Sequence, residues 1–350
     1  LEQNRRRHAM KAALLTPDRK IVVEELPEPE ISKGNEIMVR VRCVGICGSD
    51  VHYFRYGRIG DQVVRDRIIL GHEASGEVVA VGQEVEKLKV GDRVAIEPSI
   101  SCGDCPQCRK GKPNLCPRVL FLGTPPVDGA LREFLVMPES NLVKLPEGVT
   151  YAEGALAEPL AIGLYAVRLS CFRPGDSVLV IGAGPIGLSV VFAAASLSRN
   201  LVVRDLLPWR LEMAKLLGAT EVVLVSQERR SLSLRKDEEL FDVVFEAAGK
   251  EETFQEATRN VRVGGNMVLI GIPDKDEVGL NPHLLRRKEV LVTNVRRSAH
   301  TTEMALQLVA QHRGLLNRMI THTFPLQETE RALSLVGAYG DGVVKAMIEL

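Results

Sequence analysis

The chain has 350 residues, 45% of them hydrophobic, and its 45 basic residues balance 45 acidic ones to a formal net charge of zero. A chain of this length and apolar content can bury a large core, and we expect it to form a soluble protein of two domains. The zero net charge gives no general attraction to nucleic acid, and no apolar run reaches the roughly 20 residues that a membrane-spanning helix needs.

Residues 1–9, LEQNRRRHA, precede a methionine that is typical of a natural start, Met10. We expect these nine residues to be a vector-derived remnant rather than an arm that binds nucleic acid, and we exclude them from the functional argument. The sequence also begins without an apolar signal segment, so we expect the protein to stay in a reducing compartment, the cytoplasm.

From Met10 to about Tyr151 the sequence consists of short β-rich runs separated by glycine and proline. Examples of these runs are EIMVRVRCVG, GEVVAVG and DRVAIEP. This pattern is typical of a mostly β domain, and the loops between the runs carry most of the cysteines.

Soft, borderline and hard metal ligands lie on two adjacent loops of this domain: Cys47 follows one β run, and His72 and Glu73 open the next. Taken alone, the histidine would be an ordinary buried histidine and the cysteine a core thiol, but together they predict an open zinc site. Glu158, at the junction between the domains, could complete the coordination sphere or hold the metal-bound water. Because a proline follows it, Glu158 could instead be an acid that begins a helix.

Four cysteines lie within fifteen residues, with glycine and proline between them to form tight turns: Cys102, Cys105, Cys108 and Cys116. Four thiolates at this spacing predict a structural zinc in a lobe of about residues 100–118. A pair of disulfides is the alternative, but thiols persist in a reducing compartment. A zinc ribbon that binds nucleic acid would separate its ligands into two distant pairs. The apolar surroundings of Cys43 and Cys171 predict ordinary core packing.

From Gly175 onward, apolar strands alternate with helical stretches. The six strand segments are SVLVI, LVVR, EVVLV, FDVVFEA, NMVLIG and EVLVTNV. They predict a doubly wound parallel sheet, so the fold class is mixed α/β. The last fifty residues have no place in a six-stranded sheet and are expected to return to the first domain. We therefore assign residues 10–160 and 298–350 to the first domain and 161–297 to the second.

A glycine fingerprint follows the first of these strands and precedes an apolar helix, the context in which it indicates a dinucleotide site. In the segment GAGPIG, the first glycine permits a tight turn, the second lets the backbone approach a pyrophosphate, and the third allows close helix packing. The residues assigned to the cofactor loop are Gly182, Gly184, Ile186 and Gly187.

Asp205 ends the next strand, where a carboxylate can accept both ribose hydroxyls of NAD and would repel a 2′-phosphate. Its neighbour Arg204 leaves some room for NADP, but the sequence favours NAD. Arg210 either lies near the adenine side of the cofactor or is an exposed helix arginine.

These motifs resemble the zinc-containing medium-chain dehydrogenase/reductase family, and more closely its polyol (sorbitol/xylitol) dehydrogenase branch, from about Met10 to Leu350. The resemblance to this branch lies in CGSDVHYFRYGRIG, GHEASGEV, VGDRVAIEP, FLGTPP and ALAEPLAIG. It implies a GroES-like catalytic domain formed by both chain ends, a Rossmann domain between them, and a homotetramer. All four lobe cysteines are present, whereas some members of the branch lack them, so we expect two zinc ions per chain.

The resemblance also implies roles for individual residues. The catalytic zinc would be held by Cys47, His72 and Glu73, with Glu158 either a ligand or hydrogen-bonded to the metal water. Residues expected to line the substrate pocket are Ser49, Tyr53, Phe121, Thr124 and Arg296, with Val295 on the cofactor side. The chain departs from the branch where Val295-Arg296-Arg297 replaces a usual Phe-Arg-Tyr, where Ser198-Arg-Asn200 lacks a glycine, and in a shortened stretch from Ser226 to Leu240.

The expected reaction is oxidation of a secondary hydroxyl of a sugar alcohol to the ketose, with hydride passing to NAD. The proton would leave through Glu158 and its water, or through Ser49 and then His52. Within the family, a threonine-type or simple alcohol dehydrogenase is the alternative. Outside enzymes, the alternative is a non-catalytic protein that binds zinc and a nucleotide.

Overall fold

The computed structural model describes residues 9–225 and 240–350, which separate into two units. The first contains the chain up to Glu158, together with Thr302–Arg313 and Ile320–Leu350. The second contains Pro159–Thr301 and Gly314–Met319. The N-terminal remnant and the shortened stretch expected from the sequence lie almost entirely outside the described residues. The mixed α/β class predicted from the sequence is confirmed.

The N-terminal part of the chain supplies the strands and short helices of the first unit. Its strands are β1 (Ala9–Leu15), β2 (Ile21–Pro27), β3 (Glu36–Gly45), β4 (Arg58–Ile59), β5 (Gln62–Val63), β6 (Ile68–Ile69), β7 (Glu73–Val81), β8 (Arg93–Ile96), β9 (Ser99–Ile100), β10 (Leu120–Phe121), β11 (Phe134–Pro138) and β12 (Leu142–Lys144). Its helices are α1 (Gly48–Tyr56), α2 (Pro106–Arg109) and α3 (Tyr151–Ala155).

The second unit is built on one parallel sheet, and apolar side chains fill both faces of its inner strands. Its strands are β13 (Ser177–Ile181), β14 (Asn200–Asp205), β15 (Glu221–Leu224), β16 (Phe241–Glu246), β17 (Val261–Leu269) and β18 (Leu291–Asn294). Its helices are α4 (Ala157–Leu169, which begins at the boundary), α5 (Pro185–Ala194), α6 (Pro208–Leu216), α7 (Glu251–Asn260) and α8 (Pro282–Lys288).

In this sheet the order of the strands is β15-β14-β13-β16-β17-β18, and every described pair is parallel. The chain therefore starts in the middle, builds outward through β14 and β15, and then crosses to the other side of β13. A dinucleotide binds at such a reversal, beyond the carboxyl ends of the strands. The doubly wound sheet expected from the sequence is present.

The C-terminal part of the chain completes the sheet of the first unit. Its elements in the first unit are α9 (Thr302–Gln311), β19 (Ile320–Pro325), α11 (Thr329–Ala338) and β20 (Lys345–Glu349). The short helix α10 (Arg313–Leu316) belongs to the second unit from Gly314 onward. The described strands of that sheet follow the order β12-β8-β7-β3-β20-β19, and β11 also pairs with β3. Residues from both ends of the chain share one core, in which Leu15, Ile37, Leu333 and Ile348 are fully buried.

Within the described ranges, no helix is long and apolar enough to cross a membrane.

Candidate active site

The side chains of Cys47, His72 and Glu73 meet at one point of the first unit, with their donor atoms within 4.8 Å of one another. Cys47 lies just past the end of β3, where it caps the N-terminus of α1, and Glu73 begins β7. The two strands pair antiparallel with Gly45 opposite Glu73, so the sheet register brings the ligands together. A thiol, an imidazole and a carboxylate are a donor set that suits zinc with one position left open.

Two features of these side chains fit a resident cation. Burial, together with the charges of Glu73 and Asp50, raises the pKa of the Cys47 thiol to about 12. A cation is therefore needed to hold the thiolate at neutral pH. Gly45 also leaves room for the Glu73 carboxylate, because a methyl group at that position would overlap Oε2.

Asp50, which the sequence analysis did not single out, ties the two ligand loops together. Its Oδ2 accepts a hydrogen bond from the backbone N–H of Cys47 (2.9 Å), and its Oδ1 accepts one from the backbone N–H of Gly71 (3.1 Å). Oδ1 also lies 3.7 Å from Nδ1 of His72. Burial raises the pKa of this carboxyl, against the opposing effect of His72. The signal was in the sequence, because Asp50 is three residues after Cys47 and so returns to the helix cap.

Lys345, also missed by the sequence analysis, contributes a buried ammonium group. Its Nζ lies 2.8 Å and 2.6 Å from the two carboxylate oxygens of Glu73, and 3.1 Å from the carbonyl oxygen of Ile46. Burial alone would lower the pKa of Lys345, but the facing carboxylate raises it above its usual value. Lysine spacing in the sequence gave no indication of this contact.

Glu158 is buried in the first turn of α4. Burial, together with the charges of Glu73 and Cys47, raises the pKa of Glu158 well above its usual value, although His72 opposes the shift. The group of donor atoms within 4.8 Å contains the other three side chains and not Glu158.

The other residues expected around the substrate fall into two sets. In the first unit, the ring of Phe121 lies 5.2 Å from that of His72, and Ser49 hydrogen-bonds to the Cys47 thiol. Tyr53 is buried, and its hydroxyl donates to Oε1 of Gln62 at 3.3 Å.

Four further residues expected at the site lie on other segments of the chain. Thr124 lies in the turn after β10, and its backbone N–H donates to the carbonyl of Phe121 at 3.2 Å. Val295 and Arg296 follow β18 in the second unit. The backbone N–H of Val295 donates to the carbonyl oxygen of Leu269, the last residue of β17, at 2.9 Å. His52 lies on α1, where its ring makes an edge contact of 5.6 Å with Tyr56.

The four lobe cysteines form a second cluster with donor atoms within 4.8 Å. Sγ separations are 3.5 Å between Cys105 and Cys108, 3.4 Å between Cys116 and Cys102, and 3.9 Å between Cys102 and Cys108. A disulfide requires about 2.05 Å. Four sulfurs at about 2.3 Å from one ion would lie about 3.8 Å apart, so the separations fit tetrahedral zinc.

The fold of the lobe supports this arrangement. Gly103 and Gly111 adopt positive φ angles of 77° and 71°, which lets the loop reverse twice in a few residues. The backbone N–H of Cys108 donates to Sγ of Cys105 and lowers the pKa of that thiol to about 7. Of the two cysteines expected in the core, Cys43 is buried, but Cys171 is exposed, and that prediction is wrong.

The glycine loop lies between β13 and α5 in the second unit. Gly182 has a φ of 98°, and a Cβ at Gly187 would overlap the carbonyl oxygen of Gly182. Asp205, at the end of β14, accepts hydrogen bonds from the backbone N–H of Ala183 (2.6 Å) and of Leu207 (2.9 Å). A carboxylate has further lone pairs, so these bonds fix its position and leave capacity for a ribose.

Neighbouring residues Arg204 and Asp205 point to opposite sides of β14. Arg204 is 3% exposed and forms an ion pair with the buried Glu256 of α7. Burial lowers the pKa of this guanidinium to about 10. Because Glu256 occupies it, Arg204 does not offer a cation for a 2′-phosphate.

Arg210 is buried on α6, so the alternative of an exposed helix arginine is wrong. Its Nη1 lies 3.7 Å from the position that a Cβ on Gly184 would take. The side chain therefore faces the glycine loop.

Family models match both units of the chain. Residues 33–147 match the alcohol dehydrogenase GroES-like domain, and residues 185–311 match the zinc-binding dehydrogenase domain. The chain is 37% identical over 342 residues to a sorbitol dehydrogenase of Bacillus subtilis, covering 97% of each protein. It is 38% identical over 328 residues to a probable D-xylulose reductase A of Aspergillus clavatus, covering 91% of each.

Among solved structures, the fold is similar to a short chain alcohol dehydrogenase from Escherichia coli CFT073 complexed with the cofactor NADH. The two superpose with a TM-score of 0.88 and 31% identity, over 98% of this chain and 99% of the other.

Proposed function

This chain belongs to the zinc-containing medium-chain dehydrogenase/reductase family, and from that membership we propose that it is a zinc- and NAD-dependent polyol dehydrogenase. It would oxidise a secondary hydroxyl of a sugar alcohol such as sorbitol or xylitol to the ketose. The observation that carries the proposal is the cluster of Cys47, His72 and Glu73, in a chain similar over 97% of its length to a sorbitol dehydrogenase. A protein that only bound zinc and nucleotide would not need a metal site with an open position.

The residues of the site have separate tasks in this reaction. Cys47, His72 and Glu73 would hold the catalytic zinc, which when bound acts as a Lewis acid on the substrate hydroxyl and makes its proton easier to remove. The glycine loop with Asp205 would hold NAD, which supplies the hydride acceptor. Arg210 would meet the cofactor from the side of Gly184, which it faces.

Glu158 is proposed to carry the proton rather than to bind the metal. Burial raises the pKa of its carboxyl well above the usual value, so Glu158 holds a proton more readily than an exposed carboxylate and can serve as a proton carrier. Its carboxylate is not part of the group of donor atoms that lie within 4.8 Å of one another.

Ser49 and His52 supply a second route for the proton. Ser49 contacts the Cys47 thiol from the first turn of α1, and His52 lies almost one turn further along the same helix. The histidine ring contacts Tyr56, which is 53% exposed, so the route leads outward along one helix.

Phe121 is proposed to form an apolar wall beside His72, and Tyr53, Thr124 and Arg296 to contact substrate hydroxyls. Val295 would lie on the cofactor side. Because the Tyr53 hydroxyl already donates to Gln62, its contact with a substrate would use its acceptor lone pairs.

The remaining proposals concern the assembly and its surroundings. We propose a homotetramer in the cytoplasm, without a nucleic-acid or membrane partner, on the basis of family membership. Light scattering of the purified protein measures its oligomeric state directly, and a monomer would overturn the proposed tetramer.

The test of function is NADH formation followed by absorbance with sorbitol, xylitol, iditol, galactitol, threonine and ethanol, each with NAD and NADP, before and after chelation. We expect turnover of at least one polyol that requires NAD and is lost on chelation. Turnover of threonine or ethanol alone would assign the chain to another branch of the family. If the zinc-loaded protein turns over none of these alcohols, the result would support the alternative of a non-catalytic protein that binds zinc and a nucleotide.

A further inference from the structure

The contact between Lys345 and Glu73 joins the end of the chain to the candidate zinc site. Lys345 is 1% exposed, and its ammonium has three acceptors within 3.1 Å, which matches its three N–H donors. Two of these acceptors are the carboxylate oxygens of one side chain. The carboxylate is therefore held at both oxygens by a single charged donor.

The sheet of the first unit explains why residues so far apart in sequence meet. Gly45 of β3 lies opposite Glu73 of β7 on one side and opposite Met347 of β20 on the other. Lys345 is two residues before Met347, so its side chain starts from the same side of β20 and reaches across β3. Gly45 has no side chain to block the crossing.

A purely structural role does not account for this pair. A buried ion pair costs desolvation that its attraction often fails to recover, and apolar residues of similar size usually serve the fold as well. The surroundings are otherwise acidic, because Cys47, Asp50 and Glu158 also lie near Glu73. A buried cation here acts on a carboxylate that the proposed function assigns to zinc.

We propose that Lys345 is a positioning residue: its ammonium fixes the plane of the Glu73 carboxylate so that the third ligand is already aimed at the point shared with Cys47 and His72. This inference rests on the proposed function, which makes Glu73 a zinc ligand. Groups that orient metal ligands in this way typically change metal affinity by about 10- to 100-fold when they are removed.

The experiment compares Lys345→Met, which keeps the length but not the charge, with Lys345→Arg, which keeps a cation. Lys144→Met is the matched control, because Lys144, in β12 of the same sheet, forms an ion pair of 2.6 Å with Asp92 but is exposed. Each protein is titrated with zinc against a chromophoric chelator. Each is also loaded with cobalt(II), and the lobe spectrum, taken from the His72→Ala variant, is subtracted.

We expect Lys345→Met to weaken zinc binding at one site by about 10- to 100-fold and to shift the cobalt absorption bands. Lys345→Arg should recover most of the affinity, and Lys144→Met should match the wild type. A lower melting temperature in Lys345→Met with wild-type affinity and spectrum would overturn the inference, because a merely structural role predicts that result.

A second variant covers the case in which Lys345→Met does not fold. Gly45→Ala keeps Lys345 but places a methyl group where Glu73 Oε2 lies, so it should displace the carboxylate and shift the same bands. Unchanged bands there would also overturn the inference. If the wild-type protein itself binds zinc only in the lobe, the proposed function fails, and that result does not depend on any Lys345 variant.

Discussion

At the scale of single residues, Asp205 and Arg204 allow a sharp test of cofactor choice. Replacing Asp205 by serine removes the carboxylate proposed to bind the ribose, and charged hydrogen bonds of this kind contribute roughly 1.5–3 kcal/mol. We expect kcat/KM for NAD to fall by about 10- to 100-fold. The value of kcat/KM for NADP should rise little, because Arg204 is paired with Glu256 and is not free to bind the 2′-phosphate.

The ratio of kcat/KM for NAD to that for NADP is the measurement, with Asp176→Ser as control. Asp176 also accepts a backbone hydrogen bond, from Arg173 at 2.8 Å, but it lies at the opposite end of the sheet, before β13. An unchanged ratio in Asp205→Ser would show that this carboxylate does not bind the ribose hydroxyls of NAD.

His72→Ala tests the catalytic metal. The change removes one of three clustered donors, so we expect zinc content to fall from two to one per chain and turnover to disappear. Binding of NAD, measured by fluorescence, should persist because His72 is not part of the glycine loop. His283→Ala, at an exposed histidine of α8, should behave as wild type. Full activity of His72→Ala in metal-stripped buffer would rule out the catalytic zinc.

The sequence identified donor residues more readily than the groups that orient them. Cys47, His72 and Glu73 are residue types that commonly bind metals, and the spacing of the four lobe cysteines by itself predicts a zinc site. Asp50 could have been found from its distance to Cys47. Lys345 could not, because its contact depends on which strand lies beside β3.

At the scale of elements, the two units differed in how far the sequence could specify them. The inner strands β13, β14 and β16 of the parallel sheet are buried on both faces, so they form apolar runs that a sequence reveals. For the mostly β unit, the sequence predicted the class and the return of the last fifty residues, but not the strand pairing, because the sheet pairs β3 with β20 from the far end of the chain. Cys171 was misplaced because its neighbours are apolar, yet it lies in an exposed turn with a φ of 55° after α4.

The cysteine lobe is the element whose loss should affect stability rather than chemistry. Cys105→Ser removes a buried ligand, and a closed four-thiolate site offers no position for substrate. We expect one zinc fewer and a melting temperature lower by about 5 °C or more, since each kcal/mol lost corresponds to roughly 2–4 °C in a domain of this size. Turnover per zinc-loaded catalytic site should be retained.

Calorimetry and metal analysis check this expectation, and Cys171→Ser is the matched control because that thiol is exposed and outside the lobe. Activity lost from Cys105→Ser while zinc content and melting temperature stay at wild-type values would contradict a structural role.

At the scale of the whole molecule, two metal sites with different donor sets should respond separately to the supply of zinc. Soft thiolates bind zinc more tightly than a set in which one thiolate is joined by an imidazole and a carboxylate. In zinc-buffered dialysis we therefore expect the first zinc ion to dissociate from the three-donor site. Its loss should abolish activity and change the melting temperature little. The second equivalent should leave at lower free zinc, with a fall in melting temperature.

Measuring activity, bound zinc and melting temperature on the same dialysed samples distinguishes this order from its reverse. Restoring zinc to protein that has lost only the first equivalent should restore turnover, because the lobe has remained closed. If activity instead follows loss of the second equivalent, the four-thiolate cluster and the three-donor cluster have been assigned the wrong roles. In that case Cys47, His72 and Glu73 would bind the structural zinc, and the catalytic centre of this protein would have to lie elsewhere.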